Sequence, residues 1–254
     1  MTTVIYDGSF GGLLTAVFEV FEYKFSDVAI ISKENYLHEN IFAELHEVFF
    51  NEEKSERVLN RIKANLGKDG ISKLLMVYFS EKPELENLIL EAVRYSVNNP
   101  NQNVLQNFAD EHMMEIAKTV KSVGREIHRM HAFVRFEKLQ DDVFFSKIEP
   151  DFNLLPLILK HFKHRYRDQK WMIFDLKRHY GIYYDLKEVE FFYPEELSFA
   201  SLSKTESVLH EEEINYQKLW QRYFIKTNIP ERKNLKLHVK SLPKRYWKYL
   251  TEKP

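Results

Sequence analysis

A chain of 254 residues can bury roughly 70–75% of its unfolded surface, and 20 Phe, 14 Tyr and 3 Trp give it ample apolar material for a core. Only 7 Gly and 8 Pro argue against a linker-rich or disordered protein. The absence of cysteine excludes disulfides, thiolate zinc sites, a Cys nucleophile and any iron–sulfur cluster held by this chain itself, and it fits a reducing, cytoplasmic setting.

The start, Met1-Thr2-Thr3-Val4, has no positively charged leader, so no signal peptide is expected. The longest Leu/Ile run, Leu154 to Leu159, is broken by Pro156 and is too short for a bilayer, so no membrane association is expected. Thr3 to Tyr6 reads as a buried strand, Asp7-Gly8-Ser9 as a turn, and Leu13, Leu14, Val17, Phe18 and Phe21 as a helix face. The glycines there miss the dinucleotide-binding spacing, and a tight turn feeding a helix is the reading. Val28 to Ile31 and Ile41 to Phe50 pass for strands, the second also for a helix. His38 and His46, with Glu39, Glu44 and Glu47, lack any fixed metal-ligand spacing and read as surface residues.

A helical stretch follows. Glu53 to Leu66 should stop at Gly67, and Ile71 to Phe79 forms a short apolar helix. Pro83 suits the first position of the next helix, which Asn98-Asn99-Pro100 breaks. The longest helix is predicted from Val104 to Ile127. At Arg129 the period changes to alternation, predicting a strand through Met130, Ala132, Val134 and Phe136. Val143 to Ile148, Trp171 to Phe174, Gly181 to Tyr184 and Val189 to Tyr193 complete five strands, with a helix over Leu154 to Phe162. Short connections favour antiparallel pairing. Ser203 and Glu206 form a capping box before a closing helix over Ser207 to Ile225. The expected fold is therefore α+β, a single domain over 1–254. Residues 1–128 are mainly helical; 129–254 hold a five-stranded, mostly antiparallel sheet with an inserted helix, a closing helix and a basic tail.

Charge is unevenly spread. Residues 1–56 carry 3 basic and 11 acidic side chains, residues 185–213 carry 2 and 9, and residues 222–254 carry 10 and 2. The last imbalance suits phosphate contact or pairing with the acidic segments, and both readings stay open. Lys160, His161, Lys163, His164, Arg165, Arg167 and Lys170 fall within eleven residues, with Tyr166 and Trp171 interleaved. Cations neutralise phosphates while aromatic faces stack on unpaired bases. Lys244, Arg245, Trp247 and Lys248, preceded by Glu231-Arg232-Lys233-Asn234, repeat that mixture in the tail, where Trp247 serves equally to dock the tail on the core. Arg178 joins the candidate phosphate contacts. Asp151, Asp175 and His179 gather around the hairpin as candidates for general acid–base work, although Asp175-x-x-Arg178 also reads as a turn with an ion pair.

Six stretches in order carry a resemblance: Tyr6 to Phe10, Arg129 to Phe136, Ile148 to Asp151, Asp168 to Trp171, Asp175 to Tyr184, and Pro243 to Leu250. Together they resemble a bacterial family, the domain of unknown function 4130, associated with DNA metabolism and repair. The resemblance implies a DNA-binding or substrate-presenting partner of a radical SAM enzyme that repairs or modifies DNA and is encoded nearby. It also implies a link to a uracil-DNA glycosylase-like domain, which is fused to the family in some bacteria. The radical SAM partner would carry the iron–sulfur cluster, and no cofactor is expected here. In the family a His often follows the IEPD corner and a Pro the ERKN corner. Phe152 and Leu235 stand there in this chain, which speaks against catalysis at the position after Asp151. The rivals are an enzyme acting on damaged bases or nucleotides through Asp151, Asp175 or His179, and a protein–protein adaptor.

Overall fold

The computed structural model describes residues 1–36, 44–100, 102–194, 209–227 and 234–252. His38, Glu39, the Ser203–Glu206 capping box and Glu231 to Lys233 lie outside them. The chain divides into two compact units, Met1–Gly124 and Arg125–Pro254.

The first unit is a small parallel sheet with helices. Strands β1 (Thr2–Tyr6), β2 (Val28–Ser32) and β3 (Glu44–Glu47) pair in the order β2-β1-β3, all parallel. The central strand is apolar on both faces, as a covered parallel strand must be. Between β1 and β2 runs α1 (Phe10–Glu22), whose N-terminus is capped by the Ser9 hydroxyl accepting from the Gly12 N–H at 2.9 Å. The capping shows why Asp7-Gly8-Ser9 serves as a helix entry. Helix α2 (Glu52–Tyr78) is interrupted at Gly67, whose φ of 69° and ψ of −173° take it out of helical geometry. The sequence placed a helix end there, and glycine tolerates that φ where a Cβ would be strained. Helix α3 (Leu85–Asn98) starts after Glu84, so Pro83 lies just ahead of the helix and not at its first position.

Helix α4 (Glu111–Phe133) corrects the reading of Met130 to Phe136 as a strand. Its apolar face continues through Ile116, Val123 and Met130, all buried and seven residues apart. That spacing outlasts the brief alternation after Arg129, and only Glu137–Lys138 is extended, as β4.

The second unit is built on the mixed sheet β4-β5-β6-β7-β8, with β5 (Phe144–Ile148), β6 (Trp171–Asp175), β7 (Tyr180–Tyr184) and β8 (Val189–Phe192). The α+β class and a five-stranded sheet stand, with four of the predicted strands in place and Glu137–Lys138 taking the position expected of Met130 to Phe136. Pairing is antiparallel at β4–β5, β6–β7 and β7–β8 but parallel at β5–β6. The reason is α5 (Leu155–Arg165): the connection from β5 to β6 contains a whole helix and is long enough for a parallel crossover. Phe145, Leu155, Ile158, Phe162, Trp171, Ile173, Phe174 and Ile182 are all fully buried around the sheet. Gly181 has no room for a side chain, since a Cβ would stand 2.2 Å from the Phe192 ring. Helices α6 (Glu213–Thr227) and α7 (Leu235–Ser241) and a 3-10 turn over Lys244–Tyr249 close the unit. Among the described residues no helix is long and apolar enough to cross a membrane.

Candidate nucleic-acid interface

The motif residues of the second unit separate into an internal polar anchor and an open groove. The anchor is centred on Glu126, which α4 places on its buried side with a side chain only 2% exposed. Its carboxylate accepts the backbone N–H groups of Asp151 (3.0 Å) and Phe152 (3.1 Å), an Arg245 guanidinium N–H and the Tyr246 hydroxyl. One buried acid thus joins the Pro150–Phe152 corner to the 3-10 turn near the C-terminus. A second buried acid, Asp175 at the end of β6, accepts the Lys177 N–H at 2.9 Å, the Arg178 N–H at 3.2 Å and Arg178 Nη1 at 3.0 Å. Arg178 also donates to the Pro150 and Asp151 carbonyls, at 3.3 and 2.9 Å. Glu149 accepts from Lys248 and, at 2.6 Å, from the Tyr249 hydroxyl. Those donors, Lys248 first, hold its carboxyl below the usual range, while burial and the Glu149 carboxylate push the Tyr249 hydroxyl up to about 12.

This geometry corrects several candidates. Asp175 is completely buried and its oxygens meet three donors, so it anchors a turn and does not present a base to a substrate. Burial raises its pKa despite the Arg178 charge beside it. Arg178, with a side chain 10% exposed, is spent on Asp175 and the corner carbonyls and is not a phosphate contact. Arg245 pairs with Glu126 and Asp151, and Lys248 with Glu149, so most of the tail's charge is neutralised inside the unit. Of the tail cations singled out, Lys244 is exposed with no acid in reach among the described residues. Trp247 is half-buried and donates from Nε1 to the Leu242 carbonyl at 3.1 Å, which docks the tail. Asp151 remains exposed beside Arg245, and His179 is exposed at a φ of 56°. The three catalytic candidates are not brought to one sheltered cleft. Asp175→Asn is expected to lower unfolding free energy by about 2–3 kcal/mol in a urea titration, because the amide oxygen still accepts the two backbone N–H groups but the buried Arg178 guanidinium loses its charged acceptor.

The groove lies elsewhere in the same unit and measures about 1060 Å³. Phe136, Tyr166 and Trp171 line it together with Tyr216, Trp220 and Tyr223 of α6. Glu252 fixes one wall: it accepts from Arg135 Nη2 at 2.8 Å and from Trp220 Nε1 at 3.0 Å. Burial opposes ionisation of that carboxyl, but the two donors outweigh it and hold its pKa low. The Arg135 guanidinium also stands 5.8 Å from the Trp220 ring centre.

The basic end of α5 borders this groove through Tyr166, whose ring lies 5.6 Å from the Arg165 guanidinium. Arg165, Arg167 and Lys170 are exposed, and none has an acidic partner among the described residues. Lys163 is half-buried over the Tyr184 ring at 5.8 Å. His161 stacks on His131 with ring centres 3.7 Å apart, and burial and then Arg165 lower its pKa, which removes it from the cationic set at neutral pH. Trp171 is fully buried, with Phe136, Phe162 and Tyr184 rings around it, so it is a core residue at the groove floor and not an exposed stacking platform. Among the described residues no group of three or more His, Asp or Glu stands together as a metal site, and His46 bonds Glu19 at 2.7 Å.

Sequence reasoning missed Glu126, Glu252 and the α6 side of the groove. Glu126 had a signal: it falls between Val123 and Met130 on the apolar stripe of a long helix, where a carboxylate must find buried donors. Glu252 had none.

The second unit is thus a mixed α+β sheet whose motif residues lock the chain's corners and leave one aromatic groove beside a basic helix end. Residues 83–252, about two thirds of the chain, match the family model of a domain of unknown function, DUF4130, and the chain belongs to that family. Tyr6 to Phe10 lies outside the matched span, so the shared region is narrower than the six motifs suggested. Comparison with curated proteins found no match.

Proposed function

We propose that this protein binds DNA, as a DNA-binding or substrate-presenting partner of a radical SAM repair or modification enzyme. The observation that carries the DNA-binding reading is the set of exposed cations Arg165, Arg167 and Lys170, which alternate in sequence with the groove-lining residues Tyr166, Gln169 and Trp171 and have no acidic partner among the described residues. Cations already paired inside a protein gain little from a phosphate; among the described residues these three have no such competitor. The partner half of the proposal draws on the family resemblance alone. The enzyme reading through Asp151, Asp175 and His179 loses its best acid, because Asp175 is sealed in the anchor.

Fluorescence anisotropy with labelled oligonucleotides across a salt series tests the proposal. The triple variant Arg165→Glu, Arg167→Glu, Lys170→Glu is expected to lose at least a hundredfold in affinity near 50 mM salt. Its log–log salt slope should flatten by about 2–3. Lys244→Glu alone should have a much smaller effect. An unchanged slope in the triple variant, or no binding by the wild type at low salt, would sink the reading. In the latter case, co-purification with the product of a neighbouring gene would favour the adaptor.

A further inference from the structure

We infer that the groove beside α5 seats an unstacked base of a single-stranded nucleic acid, with the adjoining phosphate on Arg165, Arg167 or Lys170. This rests on the nucleic-acid reading above and goes further by naming the form of ligand. Two observations lead there.

The first is the lining. Aromatic faces can contact a base only when that base has left its own stack; duplex bases offer edges alone. A groove walled by Tyr166, Tyr216, Trp220 and Tyr223 therefore offers a duplex little and a single strand a stacking surface. Tyr216 and Tyr223 are 57% and 59% exposed, so their rings are open to such contact.

The second is polarity. The exposed Arg165, Arg167 and Lys170 alternate in sequence with the lining residues Tyr166, Gln169 and Trp171, the lining cations Arg135 and Lys138 are paired with Glu252 and Asp142, and Glu212 and Glu213 line the α6 side. Glu213 is buried and accepts the Lys138 N–H at 3.0 Å; Glu212 is exposed. A phosphate is drawn to the α5 side and repelled by the α6 side, so a nucleotide enters with its backbone at α5 and its base across the groove.

The test uses the full chain and three 12-nucleotide probes of matched sugar–phosphate chemistry: dT12, an abasic 12-mer, and a duplex containing dT12. The abasic strand keeps the charge and removes the bases. Expected results are about tenfold weaker binding of the abasic strand than of dT12, a weaker duplex complex, and quenching of tryptophan fluorescence by dT12 alone. Tyr216→Ala with Tyr223→Ala, both exposed positions, should erase the dT12 advantage while retaining the abasic-strand affinity and the far-ultraviolet circular dichroism. Equal affinity for all three probes with no quenching would overturn this inference and leave phosphate binding standing. No binding to any probe would overturn the nucleic-acid reading itself. If the double variant unfolds, the wild-type comparison of dT12 with the abasic strand still decides.

Discussion

Glu126→Ala should destabilise the second unit by about 3–5 kcal/mol, the range expected when one partner of a buried charged set is removed. The side chain is 2% exposed and satisfies two backbone N–H groups, a guanidinium and a hydroxyl. Alanine leaves the Asp151 and Phe152 amides and the Tyr246 hydroxyl without that acceptor, and it leaves Arg245 with the Asp151 carboxylate and the Tyr246 hydroxyl. Glu126→Gln should cost less, since an amide oxygen still accepts. Arg245→Ala should also cost less, because that side chain is 39% exposed and water replaces part of what it loses. Urea unfolding of the three variants gives the ranking directly. A Glu126→Ala loss no larger than that of Arg245→Ala would mean that the carboxylate does not organise the corner.

Trp171→Ala should cost a comparable amount, about 3–5 kcal/mol, by leaving a cavity where a fully buried indole packs among Phe136, Phe162 and Tyr184. Trp171→Phe should cost much less, since it keeps a ring and removes a buried N–H that has no partner among the described residues. Thermal unfolding of both variants separates packing from hydrogen bonding. If alanine and phenylalanine are equally damaging, the indole N–H has an acceptor in the folded protein.

These two residues show how the sequence was legible in part. Trp171 was visible as an aromatic flanked by cations, and that pattern does not distinguish an exposed platform from a core residue opening a strand. Only burial by α5 and by β7 decided it. Arg178, Arg245 and Lys248 were visible as cations. Whether a cation faces water or a carboxylate depends on which acid the fold brings within 4 Å, and Glu126, the Glu149–Asp151 corner and Asp175 come from three separate stretches of chain. The motifs that carried the family resemblance turned out to be largely anchors: Ile148–Asp151, Asp175–Arg178 and Lys244–Tyr249 hold one another. Arg165, Arg167 and Lys170 meet no acid among the described residues.

The sequence by itself determined the α+β class, the positions of β1, β2 and β5 to β8, the helix break at Gly67 and the basic character of the end of α5. Each depends on local periodicity or on one residue's backbone preference, which neighbours in sequence suffice to set. The tertiary structure alone decided the parallel β5–β6 pairing and, among the described residues, which cations meet an acid and which do not. It also decided the joining of Phe136, Tyr166 and the α6 aromatics in one groove. Those outcomes depend on contacts between residues tens to a hundred positions apart, and no local pattern encodes which partner a buried charge or an apolar face will meet.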